Sequence, residues 1–101
     1  MTPIPAEAFG VNRKDAEWVD RMCVKHPLVC FEQKISLTGA HARVSKHTYV
    51  LATDYPLKGT FAAVADRLRL HQKWKVVDFP CGHDLMLDMP KETADLLIAS
   101  A

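Results

Sequence analysis

Phe79-Pro80-Cys81-Gly82-His83-Asp84 closes an apolar run, Trp74-Lys75-Val76-Val77-Asp78-Phe79, and leads through Met89-Pro90 toward the end of the chain. The run predicts a β-strand, and Pro80 with Gly82 ends it in a tight turn that carries a histidine. In open α/β sheets, ligands and reacting groups collect at the carboxyl ends of parallel strands. The position of His83 therefore governs how the rest of the chain is read.

Working outward, Thr48-Tyr49-Val50-Leu51-Ala52-Thr53 is a continuous run of β-formers, the pattern of a strand covered on both faces. Asp54-Tyr55-Pro56 breaks it. Phe61, Val64, Ala65 and Leu68 then recur at i, i+3, i+4 and i+7 and predict an amphipathic helix, with Thr60 as its cap. Pro90 suits a first helical turn, and Ala94, Leu97 and Ile98 give a final helix its apolar face. Residues 41–101 thus predict strand–helix–strand–helix, an α/β arrangement whose right-handed crossover makes the two strands parallel. Asp54 leaves the first strand and His83 follows the second, so both fall on one carboxyl edge.

The first forty residues are less regular. Residues 1–12 hold two prolines and Gly10 and read as an extended lead-in without a core of its own. A helix is expected from Asn12, where Ala16, Val19, Met22 and Cys23 keep helical spacing and Asp15 and Glu17 favour the dipole. His26-Pro27 ends it, because a residue before proline avoids the α region. Leu28 to Leu37 is ambiguous and reads as a short turn followed by an extended piece that ends at Thr38-Gly39.

Bulk composition narrows the function classes. The 101 residues allow one small domain, and 49% hydrophobic content supports some core. A formal charge of +1, with basic and acidic residues interleaved, carries no footprint for nucleic acid or an anionic membrane. No apolar run approaches the roughly 20 residues that span a bilayer. Met1-Thr2-Pro3-Ile4-Pro5 has neither a basic nor an apolar leader region, and three irregularly spaced cysteines form no disulfide framework. A cytoplasmic protein is expected. Cys81 and His83 lack the further N or S ligands of a zinc site, so neither metal nor cofactor is expected.

The chemistry available to Asp54 and His83 is proton transfer. A hydroxyl nucleophile needs a neighbouring base, and that imidazole needs a carboxylate to orient it and to steady the imidazolium. Asp54 has the chain order and sheet position for the carboxylate. Asp84 and Asp88 are the alternatives, although a residue adjacent to the histidine is badly placed to bond its far nitrogen. Cys81, the residue next but one to its base, is badly placed as a nucleophile and reads as a small buried thiol. His26, His41, His47 and His71 are scattered through polar or loop contexts and carry no assigned chemistry.

Three stretches carry a resemblance: Tyr49-Val50-Leu51-Ala52-Thr53-Asp54, Trp74 through Met86, and Pro90-Lys91-Glu92-Thr93-Ala94-Asp95-Leu96-Leu97. Together they resemble the C-terminal end of α/β-hydrolase-fold proteins, closest to small-ester hydrolases related to salicylate-methyl-ester esterases and hydroxynitrile lyases. Pro5 to Val11, Asp15 to Arg21 and His26-Pro27-Leu28 look like the end of that group's cap and its return to the core. The resemblance implies a single partial domain over 1–101, with a cap remnant and return segment at 11–40 and a C-terminal βαβα core at 41–101. It implies that His83 is the catalytic histidine and Asp54 the triad acid. Trp18, Met22, Phe31 and Met86 would line the pocket for a small-molecule ester substrate.

That group takes its nucleophile from a serine elbow of G-x-S-x-G type, together with a backbone oxyanion hole. Ser36, Ser45 and Ser100 lack the flanking glycines, so the elbow is expected upstream of Met1. The chain alone is then expected to be inactive. Two alternatives stand beside this: a fragment of a hydroxynitrile-lyase-like enzyme, and a stand-alone interaction module. Unpaired sheet edges would favour a homodimer in the latter case.

Overall fold

A computed structural model describes residues 1–101. A 3₁₀ turn, Ala6–Phe9, precedes α1 (Arg13–Met22) and the single-turn α2 (Val29–Glu32). A second 3₁₀ turn, Ala40–Arg43, leads into β1 (His47–Ala52), α3 (Gly59–Arg69) and β2 (Trp74–Phe79). The short α4 (Leu85–Asp88) and α5 (Pro90–Ala99) end the chain.

β1 and β2 form a two-stranded parallel sheet in a continuous register from His47 opposite Trp74 to Ala52 opposite Phe79. The β-branched and aromatic residues of both runs favour the extended backbone, and the intervening α3 packs on both strands. The mixed α/β arrangement and the strand–helix–strand order agree with the expectation. The expected cover on both faces of β1 does not: Leu51 is its one buried residue. The run is apolar enough for burial from two sides, but α3 is the one helix that packs extensively on the strands.

Two local expectations are corrected. Thr60 does not cap α3, which begins at Gly59 and has no side-chain cap bond. The lead-in also has a core after all. Ala6 is fully buried and joins Val11 and Val19, with Phe9, Ala16 and Leu87 packed around them. Gly10 makes this fold-back feasible: at φ 69° it turns the chain in the left-handed region that glycine enters without strain. Its N–H donates to the Glu7 carbonyl at 2.9 Å, and the Val11 N–H donates to the Ala6 carbonyl at 3.3 Å.

The first helix starts as expected. Asn12 accepts the Asp15 N–H at 3.1 Å through its side-chain oxygen, a standard N-cap bond. It stops at Met22, earlier than the His26-Pro27 break. From Asp20 through Lys46 every residue is exposed. Nine of the 101 residues are buried, and the accessible surface is 8047 Å². A compact monomer of 11.3 kDa exposes roughly 5,700 Å². The radius of gyration, 15.6 Å, likewise exceeds the roughly 13 Å of a compact domain this long. Much apolar surface therefore lies uncovered.

Candidate functional site

The turn after β2 is fixed by the N-terminal loop. The His83 backbone N–H donates to the Phe9 carbonyl at 2.8 Å. Gly82 is buried with its α-carbon pressed on Gly10, and a β-carbon there would overlap the Gly10 carbonyl. Only glycine allows that approach of two backbones. The turn after β1 runs alongside, with the Thr53 N–H donating to the Phe79 carbonyl at 2.9 Å and the Asp54 N–H to the Cys81 carbonyl at 3.1 Å. Asp54 and His83 thus leave neighbouring parallel strands at one edge of the sheet.

Their side chains part company. The His83 imidazole is solvent-exposed and surrounded by aromatic rings, with Tyr55 at 4.7 Å, Phe9 at 5.4 Å and Phe61 at 6.0 Å between centroids. It lines a largely apolar cavity of about 250 Å³ with Tyr49, Leu51, Tyr55, Phe61 and Leu85, and with Lys58. Asp54 instead lines a separate cavity of about 300 Å³ with Asn12, Cys81 and Asp88. No hydrogen bond joins Asp54 to His83.

Asp88 is the most heavily bonded carboxylate. One oxygen accepts the Asn12 N–H at 3.1 Å and the Asn12 side-chain amide at 2.7 Å. The other accepts the Gly82 N–H at 2.9 Å. Partial burial alone would raise its pKa, but the hydrogen bonds from Asn12 and Gly82 favour the ionised form and hold it below the usual carboxylate range. Cys81 is moved the opposite way: burial pushes its thiol up, and the negative charges of Asp88 and Asp54 add to the effect. That neutral thiol suits packing rather than nucleophilic attack.

Trp18, Met22, Phe31 and Met86 do not line the His83 cavity. All four are surface residues, between 48% and 63% exposed. No serine lines that cavity either. Ser45 and Ser100 border a different one beside His47 and Trp74, at the amino end of the sheet. Sequence reasoning missed Tyr55 and Phe9, the two rings nearest the imidazole. Tyr55 stood only as part of a strand break, although an aromatic residue one position after a strand-ending aspartate was the available signal.

Over 99 residues, 98% of its length, the chain is 40% identical to the carbendazim hydrolyzing esterase of Nocardioides sp. (strain SG-4G). It spans 40% of that protein's length. No protein-family model matches the chain, and no solved structure matches it significantly. Nearly every residue of this α/β chain therefore falls within a region of similarity to an esterase.

Proposed function

We propose that this chain is the histidine-bearing C-terminal part of an α/β-hydrolase-fold esterase whose complete form cleaves small carboxylic esters through a Ser-His-Asp triad. The observation that carries this reading is His83 in a turn at the carboxyl end of the second of two parallel strands, facing an apolar cavity. The similarity to an esterase over 98% of the chain supports it. Within the α/β hydrolases, the quoted sequence stretches favour the group of salicylate-methyl-ester esterases, with a hydroxynitrile-lyase-like activity as the second candidate.

In the complete form His83 acts as general base toward a serine supplied by the remaining chain, then as general acid toward the departing alcohol. Asp54 is the proposed orienting acid. Its carboxylate must turn from the Cys81 side toward the imidazole to fill that role. The 8047 Å² surface supports a chain that packs against further polypeptide. Trp18, Met22, Phe31 and Met86 have apolar area free to line a pocket shared with that polypeptide. Carbendazim, named for the Nocardioides relative, is the first substrate to try.

Without the nucleophile and the oxyanion hole, the isolated chain turns over no ester. Purified chain assayed on p-nitrophenyl acetate beside His83→Ala tests this directly. Equal background rates are expected, and turnover that the substitution abolishes would mean the chain holds its own nucleophile. The same uncovered surface favours the second reading, a stand-alone module that pairs with a second copy through its sheet edge. A discrete, active-site-independent dimer would speak for it.

A further inference from the structure

The geometry points to Asp88 as the positioning residue for His83: its carboxylate locks the histidine turn onto the N-terminal loop. This rests on the reading of His83 as the acid–base group. Four contacts converge on the junction of Phe9–Asn12 with Gly82–Asp88. The Phe9 carbonyl accepts the His83 N–H at 2.8 Å, and the Phe9 ring stacks on the imidazole at an interplanar angle of 25°. Gly82 and Gly10 meet backbone to backbone. Asp88 then closes the loop, holding the Gly82 N–H with one oxygen and both Asn12 donors with the other.

The arrangement makes the imidazole's position depend on a residue that does not touch it. Asp88 sits in α4, five residues after the histidine, so its grip on Gly82 shortens the turn into a closed ring of chain. Its grip on Asn12 holds Phe9 in place, because Asn12 is also the cap of α1. With both hands in place, the backbone bond and the ring stack fix His83 from two sides. With Asp88 gone, the Gly82 N–H loses its acceptor and Asn12 loses its tie to the turn, leaving the Phe9 contacts to hold the imidazole alone. Asp88 therefore acts through backbone, in contrast to the direct carboxylate–imidazole contact proposed for Asp54.

Hydrogen–deuterium exchange on the full 101-residue chain, read by mass spectrometry, tests this without an activity assay. Asp88→Ala is expected to speed amide exchange across residues 81–83 by about tenfold or more, as loss of a charged hydrogen bond implies, while residues 74–79 keep wild-type protection. In NMR spectra, cross-peaks between the His83 imidazole and the Phe9 ring should weaken as the stack is lost. Unchanged protection of residues 81–83 and unchanged cross-peaks between the His83 and Phe9 rings, with the strand intact, would overturn the proposal. If Asp88→Ala does not fold, Asp88→Asn serves. It keeps one acceptor for the Asn12 donors but not three acceptor positions, so an intermediate rate at residues 81–83 is expected, and a wild-type rate again overturns the role. Failure of the hydrolase reading would leave these exchange rates as they are, so the two can fail separately.

Discussion

Residue 82 has no room for a side chain. The missing β-carbon of Gly82 is where the Gly10 carbonyl lies, and both partners are backbone, which cannot swing aside. Gly82→Ala should therefore destabilise the chain by about 1–3 kcal/mol, the usual range for overpacking, measurable by urea unfolding. Wild-type stability for that variant would mean the N-terminal loop does not press on the turn. The sequence flagged Gly82 as turn chemistry, but its true constraint is a contact 72 positions away in the chain, which no local pattern encodes. Asp88 adds a pH signature. Its folded pKa is depressed, so its contribution to stability is complete above the unfolded value of about 3.9 and is lost as pH falls through the folded value. The stability gap between wild type and Asp88→Ala should thus be widest near neutral pH and narrow below the ordinary carboxylate range. A gap that stays constant in acid would contradict the hydrogen-bonded, ionised Asp88. Cys81 supplies a third check at this scale. It is buried with a raised thiol pKa, whereas Cys23 and Cys30 are exposed, so a disulfide reagent should modify those two first and Cys81 only slowly.

At the scale of elements, what the sequence made legible was what local periodicity controls. The strand Trp74–Phe79 was read to the residue, and α3 and α5 were recognised from their apolar stripes and Pro90. The N-terminal core was not legible, because Ala6 and Val11 gain their burial from Val19 across a turn rather than from any repeat along the chain. Capping was not legible, since the one cap expected from the sequence was Thr60. Asn12 caps α1, while the threonine expected to cap α3 lies inside the helix. Replacing Asn12 with alanine removes a cap bond and a donor to Asp88, and should cost about 1–2 kcal/mol, whereas Thr60→Ala should be nearly neutral. Comparing the two variants in one denaturant series checks this, and equal effects would contradict the assigned caps. The candidate site was legible in part for the same reason. Chain order placed Asp54 and His83 on one sheet edge, but side-chain direction, which sends them into different cavities, depends on the packing of Tyr55, Cys81 and Asp88.

The molecule as a whole exposes roughly 40% more surface than a compact protein of its mass. Val24, Leu28, Val29, Phe31, Ile35 and Leu37 are all exposed along the stretch between α1 and β1. Such a chain should self-associate at micromolar concentration, seen as species heavier than 11.3 kDa in analytical ultracentrifugation. A chain that stays monomeric at that concentration would contradict the view that it needs further polypeptide to pack against. That view and the assignment of His83 meet in one experiment. The chain is grafted in place of the matching segment of the Nocardioides esterase, and carbendazim hydrolysis is measured with and without His83→Ala. The account predicts that the graft is active and that the substitution lowers kcat by about a hundredfold to ten-thousandfold, the range for a general acid–base group. An active graft that loses nothing on His83→Ala would contradict it.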